Sequence, residues 1–429
     1  MSSKLERASI GQGIHLGAVR DPKFKHNLLS ASFVLPLSEK DASDNAVTPY
    51  ILRKGCRECP DFSSLNARLA GLYGAALDAD ITKFGGWQVL ELSIRGLDNR
   101  FALENEDVTT QCAELLASVL LDPKLDGKGL FDEKDTALER QYVLYTIEAQ
   151  INDKRAYARS QCIKHMCAGE PNAVRRYGSI ETARAITPES AARAYRRMVE
   201  TAPVELIFVG SGDSARFAQV FQKRFGQVRR SPLQLERMRP REKADKVRER
   251  VEHMELSQSK LVMGMRTGAA AGPRELQARR VFSALYGGTP FSKLFLNVRE
   301  KLSLCYYCAS RFDVSTGLMT VESGVEAKNS DKARQEVLRQ LKAVQEGGFD
   351  ETELANTKLL LKNSIRSTGD TLTGLQGWYM AQVLRGRNDS PEEDAAQIEA
   401  VTRDEVIEAA RAVTLDTVYF LTGNEEEAQ

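Results

Sequence analysis

The sequence predicts an α+β protein of two homologous domains, each a mostly antiparallel sheet with helices packed on one face. Three observations predict this class. The 429 residues exceed what one hydrophobic core usually supports. One succession of helices and strands occurs twice along the chain. In each half, runs of strands precede runs of helices, an order typical of α+β folds rather than of doubly wound parallel sheets.

The clearest repeat lies at the end of each half. Residues 187–198 have the start signal of a helix, a threonine N-cap followed by Pro188 at the first helical position. A strand pattern follows at 204–209. Residues 402–412 and 417–421 predict the same helix and strand in the same order. The two ends are therefore predicted to be equivalent.

A second repeat lies earlier in each half. Residues 62–65 lead a helix and then a long hairpin that turns at 85–86. Residues 291–294 lead a helix and then a long hairpin that turns at 316–317. The similarity is weak residue by residue, but the order and type of the elements agree, so we expect the halves to share one fold.

These repeats place the first domain at 1–228 and the second at 248–429. The run between them, 229–247, is basic but interrupted by acidic residues. Such mixed charge favours a solvated linker over a binding site for a polyanion.

Within the domains, period-two alternation predicts strands at 28–35 and 89–94. Apolar residues at three- and four-residue spacing predict the longer helices, at 133–153, 331–346, 351–366 and 391–412.

Composition excludes several classes of function. The chain is 42% hydrophobic and 28% charged, with a formal net charge of +1, which gives no reason to expect nucleic acid or a membrane surface as a partner. The N-terminus lacks the apolar segment of a signal peptide, and no apolar run of about 18 residues is present. Seven cysteines in such a chain are typical of a reducing compartment, so we expect a cytoplasmic protein.

A self-contained catalytic site is hard to find among the histidines. There are four of them: His15, His26, His165 and His253. None lies four residues from another, so no helix presents two imidazoles to a zinc ion. Three fall in predicted strands, and only His165, with Cys162 and Cys167 on one predicted helix, suggests a metal site. Ordinary packing is favoured there, because no further ligand is close in sequence.

The cysteines include two C-x-x-C pairs, Cys56/Cys59 and Cys305/Cys308. Together they could supply four ligands to one zinc ion. Cys305 and Cys308 fall in a predicted strand, where residues three apart point to opposite faces and cannot bind one ion without a bulge. Buried cysteines are therefore the favoured interpretation, and a shared zinc site is the alternative.

One segment carries a family resemblance. Residues 287–328 contain Gly287 and Gly288, then Arg299 and, seven residues later, Tyr306 ahead of a hairpin. This arrangement closely resembles the C-terminal domain of insulinase-like (pitrilysin-family) zinc peptidases. Chain length and the internal repeat are similar to the short branch related to mitochondrial processing peptidase, in which each subunit has two such domains. The two glycines are interpreted as a turn, or as a loop that lets a peptide backbone approach closely.

The zinc motif of that family, H-x-x-E-H, is degenerate here. The resemblance places Ala46 and Tyr50 at the two histidine positions and Pro49 at the glutamate position. The third zinc ligand of the family corresponds to Ala137, or in another register to Glu139. Neither alanine nor proline offers a side-chain lone pair, so no zinc is expected in this chain.

The resemblance implies a non-catalytic, substrate-binding subunit of a heterodimeric zinc metallopeptidase. The partner would be a homologous chain with an intact zinc motif, and the two would enclose a peptide in a clam-like chamber. Tyr306 would donate a hydrogen bond to the developing oxyanion, and Arg299 would hold a substrate carbonyl or carboxylate. The alternative is a scaffold protein of the same fold with no role in proteolysis.

Overall fold

The computed structural model describes residues 4–236, 241–268 and 272–423, and the architecture is mixed α+β as predicted. The strands of this part of the chain are β1 Glu6–Gly11, β2 Ile14–Arg20, β3 His26–Pro36, β4 Ala76–Phe84, β5 Trp87–Leu97, β6 Val204–Gly210, β7 Arg248–His253, β8 Ser259–Arg266, β9 Cys305–Asp313, β10 Leu318–Val325 and β11 Thr414–Thr422.

The α-helices of the described residues are α1 Ala42–Leu52, α2 Phe62–Gly71, α3 Val108–Leu121, α4 Glu133–Ala149, α5 Lys154–Met166, α6 Ile180–Arg184, α7 Pro188–Thr201, α8 Ser214–Phe225, α9 Pro273–Ser283, α10 Ser330–Gln345, α11 Glu351–Ser367, α12 Leu372–Leu384, α13 Pro391–Glu399 and α14 Arg403–Arg411. Two π-helical segments, Ala284–Gly288 and Leu294–Lys301, lie between α9 and β9. None of these helices is both long and apolar enough to cross a bilayer.

Each compact unit of the chain contains one sheet. The strand order in the first unit is β1-β2-β6-β3-β5-β4, and in the second it is β7-β11-β8-β10-β9. Both sheets are mostly antiparallel, with one parallel pair each, β2/β6 and β7/β11. The repeated order of elements predicted from the sequence is therefore present in both units.

Several local predictions are confirmed, and one is wrong. Thr187 caps α7 through a reciprocal pair of hydrogen bonds with Ser190, and Pro188 occupies the first turn. The predicted turn at 85–86 connects β4 to β5. The predicted helix 391–412 is instead two helices, α13 and α14, because Thr402 forms a capping box with Glu405 and starts a new helix.

The packing units are discontinuous in sequence. The first comprises the described residues within 1–148, 174–237 and 368–391, and the second those within 149–173, 238–367 and 392–429. Each half of the sequence therefore contributes one helix to the other unit: α5 to the second and α12 to the first. The predicted boundaries at 228 and 248 mark where the sequence pattern repeats. The two units described here are instead defined by which residues pack together.

Part of the sequence assigned to the linker packs on the first unit. Arg230 is 8% exposed, and its guanidinium donates to the backbone carbonyls of Val199 and Ala202. Residues 237–240 of the linker lie outside the described residues.

The exchanged helices cover the sheet face opposite the other helices of each unit. In the first unit, α12 packs on β3 and β6 through an apolar cluster with Leu375 and Tyr379 at its centre. In the second unit, α5 packs on β8, β10 and β11. The two sheets thus have helices on one face, as predicted, and in addition one exchanged helix on the other.

A glutamate lies under each exchanged helix at an equivalent position, the fifth residue of β5 and of β10. In the second unit, Glu322 accepts hydrogen bonds from Arg155 and Arg159 of α5 at 2.8 and 2.9 Å. In the first unit, the carboxyl of Glu91 accepts from Gln376 of α12 at 2.7 Å. The acid at this position thus has charged partners in the second unit and a neutral partner in the first.

The pKa of Glu91 gives a testable prediction. Burial raises the pKa of this carboxyl above its ordinary value, and hydrogen bonds from Ser32 and Gln376 offset only part of that effect. A raised folded-state pKa makes the free energy of unfolding highest below the ordinary glutamate pKa, and the free energy falls as pH rises through the folded-state value. Glu91→Gln should remove this fall and stabilise the first unit at neutral pH. Urea unfolding between about pH 4 and pH 8 measures it.

The matched control for this prediction is Glu114→Gln, since Glu114 is an exposed glutamate on α3 of the same unit. Its unfolding profile should follow that of the unmodified protein. An unchanged pH profile for Glu91→Gln would show that the Glu91 carboxyl does not titrate differently on unfolding.

Candidate functional site

The site in the second unit is built on β9, the terminal strand of its sheet. Tyr307 pairs with Gly324 of β10, and Cys305 pairs with Val325, so Tyr306 is an extra residue without a partner. This is a β-bulge, which turns the extra side chain away from the regular alternation of the strand. The Tyr306 side chain is accordingly directed into solvent, with the residue 62% exposed.

Arg299 lies in the last turn of the π-helical segment that precedes β9. Its guanidinium stacks over the Phe295 ring at 4.6 Å from the centroid and lies 3.5 Å from a Glu300 carboxylate oxygen. The aromatic stack orients the side chain, which is 41% exposed. The positive charge also acts on the Cys305 thiol, which places the guanidinium near the residue that precedes Tyr306.

The two glycines of the resemblance have different environments. A Cβ at Gly287 would lie 2.6 Å from the Ser310 amide nitrogen and 2.7 Å from a Leu294 methyl carbon, so only glycine fits against β9. Gly288 is exposed, and a Cβ there would meet nothing closer than 3.4 Å. The prediction of a turn or loop is wrong for this pair, because both glycines lie at the end of the π-helical segment Ala284–Gly288. Close packing requires glycine at 287, while Gly288 has exposed backbone.

Tyr307, the residue after Tyr306, does not belong to the exposed surface around Tyr306 and Gly288. Its ring lies under the Arg155 guanidinium at 4.2 Å, on the sheet face covered by α5. Tyr307 therefore has a packing role.

In the first unit, the positions of the degenerate zinc motif lie on α1 and are all buried: Ala46, Pro49 and Tyr50. The Tyr50 ring packs edge-on against Tyr142 of α4 at 4.9 Å, and its hydroxyl lies 3.2 Å from the Tyr177 hydroxyl. Burial raises the pKa of the Tyr50 phenol well above its ordinary value, so it stays protonated. A protonated, hydrogen-bonded phenol is a poor zinc ligand.

Glu139, a candidate for the third-ligand position, is already paired with a positive charge. The Lys54 ammonium lies 2.6 Å from a Glu139 carboxylate oxygen, and the Glu139 side chain is 11% exposed. Lys54 thus supplies the positive charge beside this carboxylate. In the register that the resemblance favours, Ala137 occupies the position and offers no ligand atom. Within the described residues, no group of three or more His, Cys, Asp or Glu side chains is arranged to hold a metal ion.

At the centre of β4, an edge strand of the first sheet, side chains already occupy the backbone hydrogen-bonding groups of one residue. The Ile81 amide donates to the Asp80 carboxylate at 2.8 Å, and the Ile81 carbonyl accepts from Arg176 at 3.0 Å. Side chains thus engage both backbone groups of Ile81. Lys83 further anchors the segment before Arg176 by donating to the Val174 carbonyl at 2.8 Å.

Sequence reasoning missed the residues that fill and cover the first site, namely Lys54, Asp80, Tyr142, Arg176 and Tyr177. Only one signal was available, the spacing of Leu138, Tyr142 and Tyr145 at four and three residues, and it predicts a buried stripe. In the structure these three side chains are 57%, 48% and 66% exposed. They form an apolar surface beside Tyr50.

The prediction that Cys305 and Cys308 point to opposite faces is wrong. The bulge at Tyr306 shifts the alternation by one residue, so both thiols lie on the same face of the sheet. Cys56 and Cys59 are also buried, in the loop after α1, where the Cys56 amide donates to the Cys59 carbonyl at 2.8 Å.

His165 stacks against the Tyr419 ring, with centroids 6.1 Å apart, which is a packing role.

Comparison with known proteins agrees with this arrangement. Residues 185–361 match the family described as "Peptidase M16 inactive domain". The chain is 32% identical over 426 residues to the "Probable inactive metalloprotease YmfF" of Bacillus subtilis, covering 99% of both chains.

Solved structures share the fold over nearly the whole length. A conserved protein from Enterococcus faecalis V583 superposes with a TM-score of 0.90 at 25% identity, covering 98% of this chain and 99% of that one. A peptidase M16 inactive domain from Pseudomonas fluorescens superposes with a TM-score of 0.75 at 18% identity, covering 98% of each chain. The full-length similarity to YmfF, together with the degenerate motif, shows that the chain belongs to the M16, or insulinase-like, peptidase family and to its inactive members.

Proposed function

We propose that the chain is the non-catalytic, substrate-binding subunit of a heterodimeric zinc metallopeptidase, paired with a homologous subunit that has an intact H-x-x-E-H motif. The observation that carries the proposal is a contrast between the two units. Tyr306 projects into solvent from a sheet edge in the second, whereas Tyr50 is packed among aromatic rings in the first.

The first unit does not fit a zinc ion. Ala46 and Pro49 have no donor atoms, the Tyr50 hydroxyl is bonded to Tyr177, and Glu139 is paired with Lys54. No step of peptide hydrolysis is therefore assigned to these residues, and the metal chemistry belongs to the partner.

The first unit is also a poor acceptor for an extended peptide. A peptide that adds to a sheet edge needs free N–H and C=O groups along that edge. At the centre of β4, Asp80 and Arg176 already occupy both groups of Ile81. A peptide would have to displace a carboxylate and a guanidinium at the same residue.

The second unit offers a better surface for binding an extended peptide. A peptide can pair beside the exposed end of β9, where Tyr306 lies at the edge and Gly288 leaves backbone accessible. The Tyr306 phenol can donate a hydrogen bond to the carbonyl oxygen on which negative charge develops. The Arg299 guanidinium can bind a substrate carbonyl or carboxylate. Its contact with the neighbouring Glu300 carboxylate, at 3.5 Å, is too long for a strong hydrogen bond.

In this arrangement the two subunits close around the peptide as a clam-like chamber, with the second unit of this chain facing the zinc-bearing unit of the partner. All seven cysteines are free thiols, which suits a cytoplasmic location.

Purified without a partner, the chain should contain close to no zinc after expression in zinc-supplemented medium. The reason is that Ala46 and Pro49 supply no ligand atom and Glu139 is paired with Lys54, and a single carboxylate does not hold a catalytic zinc ion. Elemental mass spectrometry measures the content, with the catalytic partner as a positive control. About one zinc per chain would contradict the assignment.

The proposal is tested by affinity purification of the tagged chain from its native host at native expression level. We expect to recover a homologous chain with H-x-x-E-H, and peptide cleavage by the purified pair. The Tyr306→Phe variant should recover the same partner, because it removes only a hydroxyl. Recovery of a larger assembly without any zinc-motif chain would favour the alternative, a scaffold protein of this fold.

A further inference from the structure

The direction of the Tyr306 side chain depends on the bulge in the ladder between β9 and β10. Tyr307 pairs with Gly324, and a regular ladder would continue with Tyr306 opposite Val325. Tyr306 would then lie on the sheet face opposite Tyr307, where Val325 is fully buried. Instead Cys305 pairs with Val325, and Tyr306 is left exposed between the two pairs. The pairs on either side of Tyr306 therefore set the direction of its phenol.

The Tyr307–Gly324 pair is held by contacts beyond the backbone ladder. The Ser323 hydroxyl donates to the Tyr307 carbonyl at 3.1 Å. The Tyr307 ring lies so close to Gly324 that a Cβ added there would be 2.5 Å from a ring carbon. Only glycine accepts the ring in this position, so the ring packs directly on the backbone of the partner strand. The ring carbons make this contact, and Tyr307→Phe should therefore retain it.

A cation from the exchanged helix of this unit covers the same ring. The Arg155 guanidinium of α5 lies 4.2 Å from the centroid of the Tyr307 ring, within the range of a cation–π interaction. Its Nε donates to the Glu322 carboxylate at 2.8 Å, and the Glu322 side chain is 2% exposed. Glu322 and Gly324 are two residues apart on β10 and lie on the same sheet face. The guanidinium is thus bound to β10 and stacked on Tyr307 at the same time.

The next turn of α5 carries an arginine that shares the carboxylate but differs at the ring. Arg159 donates to Glu322 at 2.9 Å. Within the part of the chain that the structure describes, the cations over the Tyr307 ring are Arg155 and, more distant at 5.9 Å, Lys260. Arg159 is therefore a matched control that separates the ion pair from the contact with the ring.

We propose that Arg155 is a positioning residue for Tyr306, which holds the Tyr307 ring against Gly324 and so keeps the bulge that directs the phenol into solvent. We call Arg155, Tyr307 and Gly324 the clamp. Its effect on catalysis rests on the proposed function, in which the Tyr306 phenol is the oxyanion donor. A misplacement of about 1 Å at a reacting group can cost about a hundredfold in rate. Loss of the clamp should therefore lower kcat without separating the subunits.

The clamp is tested first in the isolated, full-length chain labelled with fluorotyrosine. The fluorine resonance that disappears in Tyr306→Phe is that of Tyr306, and its shift between light and heavy water measures the exposure of that ring. We expect Arg155→Met to move this resonance and to reduce its isotope shift, because the Tyr306 ring loses exposure. Arg159→Met should leave both as in the unmodified protein. Arg155→Lys keeps a cation near the Tyr307 ring and should restore most of the original signal.

Gly324→Ala provides a second variant that acts from the other side of the ring. The added methyl group displaces the Tyr307 ring from β10, whereas the ion pair between Arg155 and Glu322 needs no atom of Gly324. The Tyr306 resonance should move as it does in Arg155→Met. Amide hydrogen exchange in β8 and β11 verifies in each variant that the rest of the sheet remains folded.

Turnover of the proposed heterodimer then shows whether Arg155 acts through Tyr306. Arg155→Met should lower kcat at least about tenfold with little change in KM. Arg159→Met should leave turnover unchanged. The double variant with Arg155→Met and Tyr306→Phe should be no slower than Tyr306→Phe alone, because the first change acts only through the hydroxyl that the second removes.

Three results would overturn the proposal. One is an unchanged Tyr306 resonance in both Arg155→Met and Gly324→Ala. Another is an equal change in Arg155→Met and Arg159→Met, which would assign the effect to the ion pairs of Glu322 alone. The third is a double variant whose losses in kcat add, as expected for two independent structural effects. A displaced Tyr306 resonance together with normal turnover of Tyr306→Phe would support the clamp and contradict the proposed function alone.

Discussion

In the heterodimer that we propose, Tyr306→Phe should lower kcat about a hundredfold or more while leaving the complex intact. Removal of one oxyanion donor typically costs about 2.7–4 kcal/mol of transition-state stabilisation, and the Tyr306 hydroxyl is the donor that the bulge projects from the sheet edge. The effect should appear in kcat more than in KM, since the hydrogen bond strengthens as charge develops.

The neighbouring tyrosine provides a matched control. Tyr307→Phe removes a hydroxyl one residue away, on the face where the ring stacks with Arg155, and should leave turnover unchanged. Arg299→Ala should also lower kcat/KM strongly, with part of the loss in KM because it removes the proposed contact to bound peptide. Unchanged turnover for Tyr306→Phe would contradict the role given to the phenol.

Arg266→Ala should lower the free energy of unfolding of the second unit by up to about 3–5 kcal/mol, because it removes the buried partner of the Asp416 carboxylate and leaves only the partly exposed Arg248 beside that charge. The Arg266 side chain is 0% exposed and lies 2.9 Å from Asp416 and 2.7 Å from Glu170. It also donates to the Met166 carbonyl at the end of α5 at 2.7 Å. Urea unfolding monitored by hydrogen exchange in α5 and β8 measures the change and assigns it to this unit.

An exposed arginine of the same unit is the control for that experiment. Arg274 is paired with Glu405, but its side chain is 76% exposed, and Arg274→Ala should cost no more than about 1 kcal/mol. If the two variants lose similar amounts, the buried network around Arg266 contributes far less than its geometry indicates.

The loss of the zinc motif could be predicted from the sequence, but the way the site is filled could not. Ala46 and Pro49 lack ligand atoms in any structure. The packing of Tyr50 against Tyr142 and Tyr177 depends on contacts between residues roughly a hundred positions apart, and helical spacing does not reveal them. The same holds for Lys54, whose pairing with Glu139 follows from tertiary structure.

The strand that carries Tyr306 could be predicted, but its bulge could not. Alternation of side chains assumes a regular ladder, and the bulge exists only in the register between β9 and β10. For this reason the sequence placed Cys305 and Cys308 on opposite faces. The helix exchange was missed for a related reason: the spacing of apolar residues predicts a helix without showing which sheet it packs on.

That exchange has a consequence for the order in which the protein can be made. All six strands of the first sheet are synthesised early, yet α12, which covers one face of that sheet, comes from 372–384. The hydrogen bond from Asn388 to the Leu5 carbonyl joins residues near opposite ends of the chain. A nascent chain must therefore hold this sheet with one apolar face uncovered until synthesis is nearly finished. Fragments cut between the homologous halves would each lack a helix and expose the surface it covers.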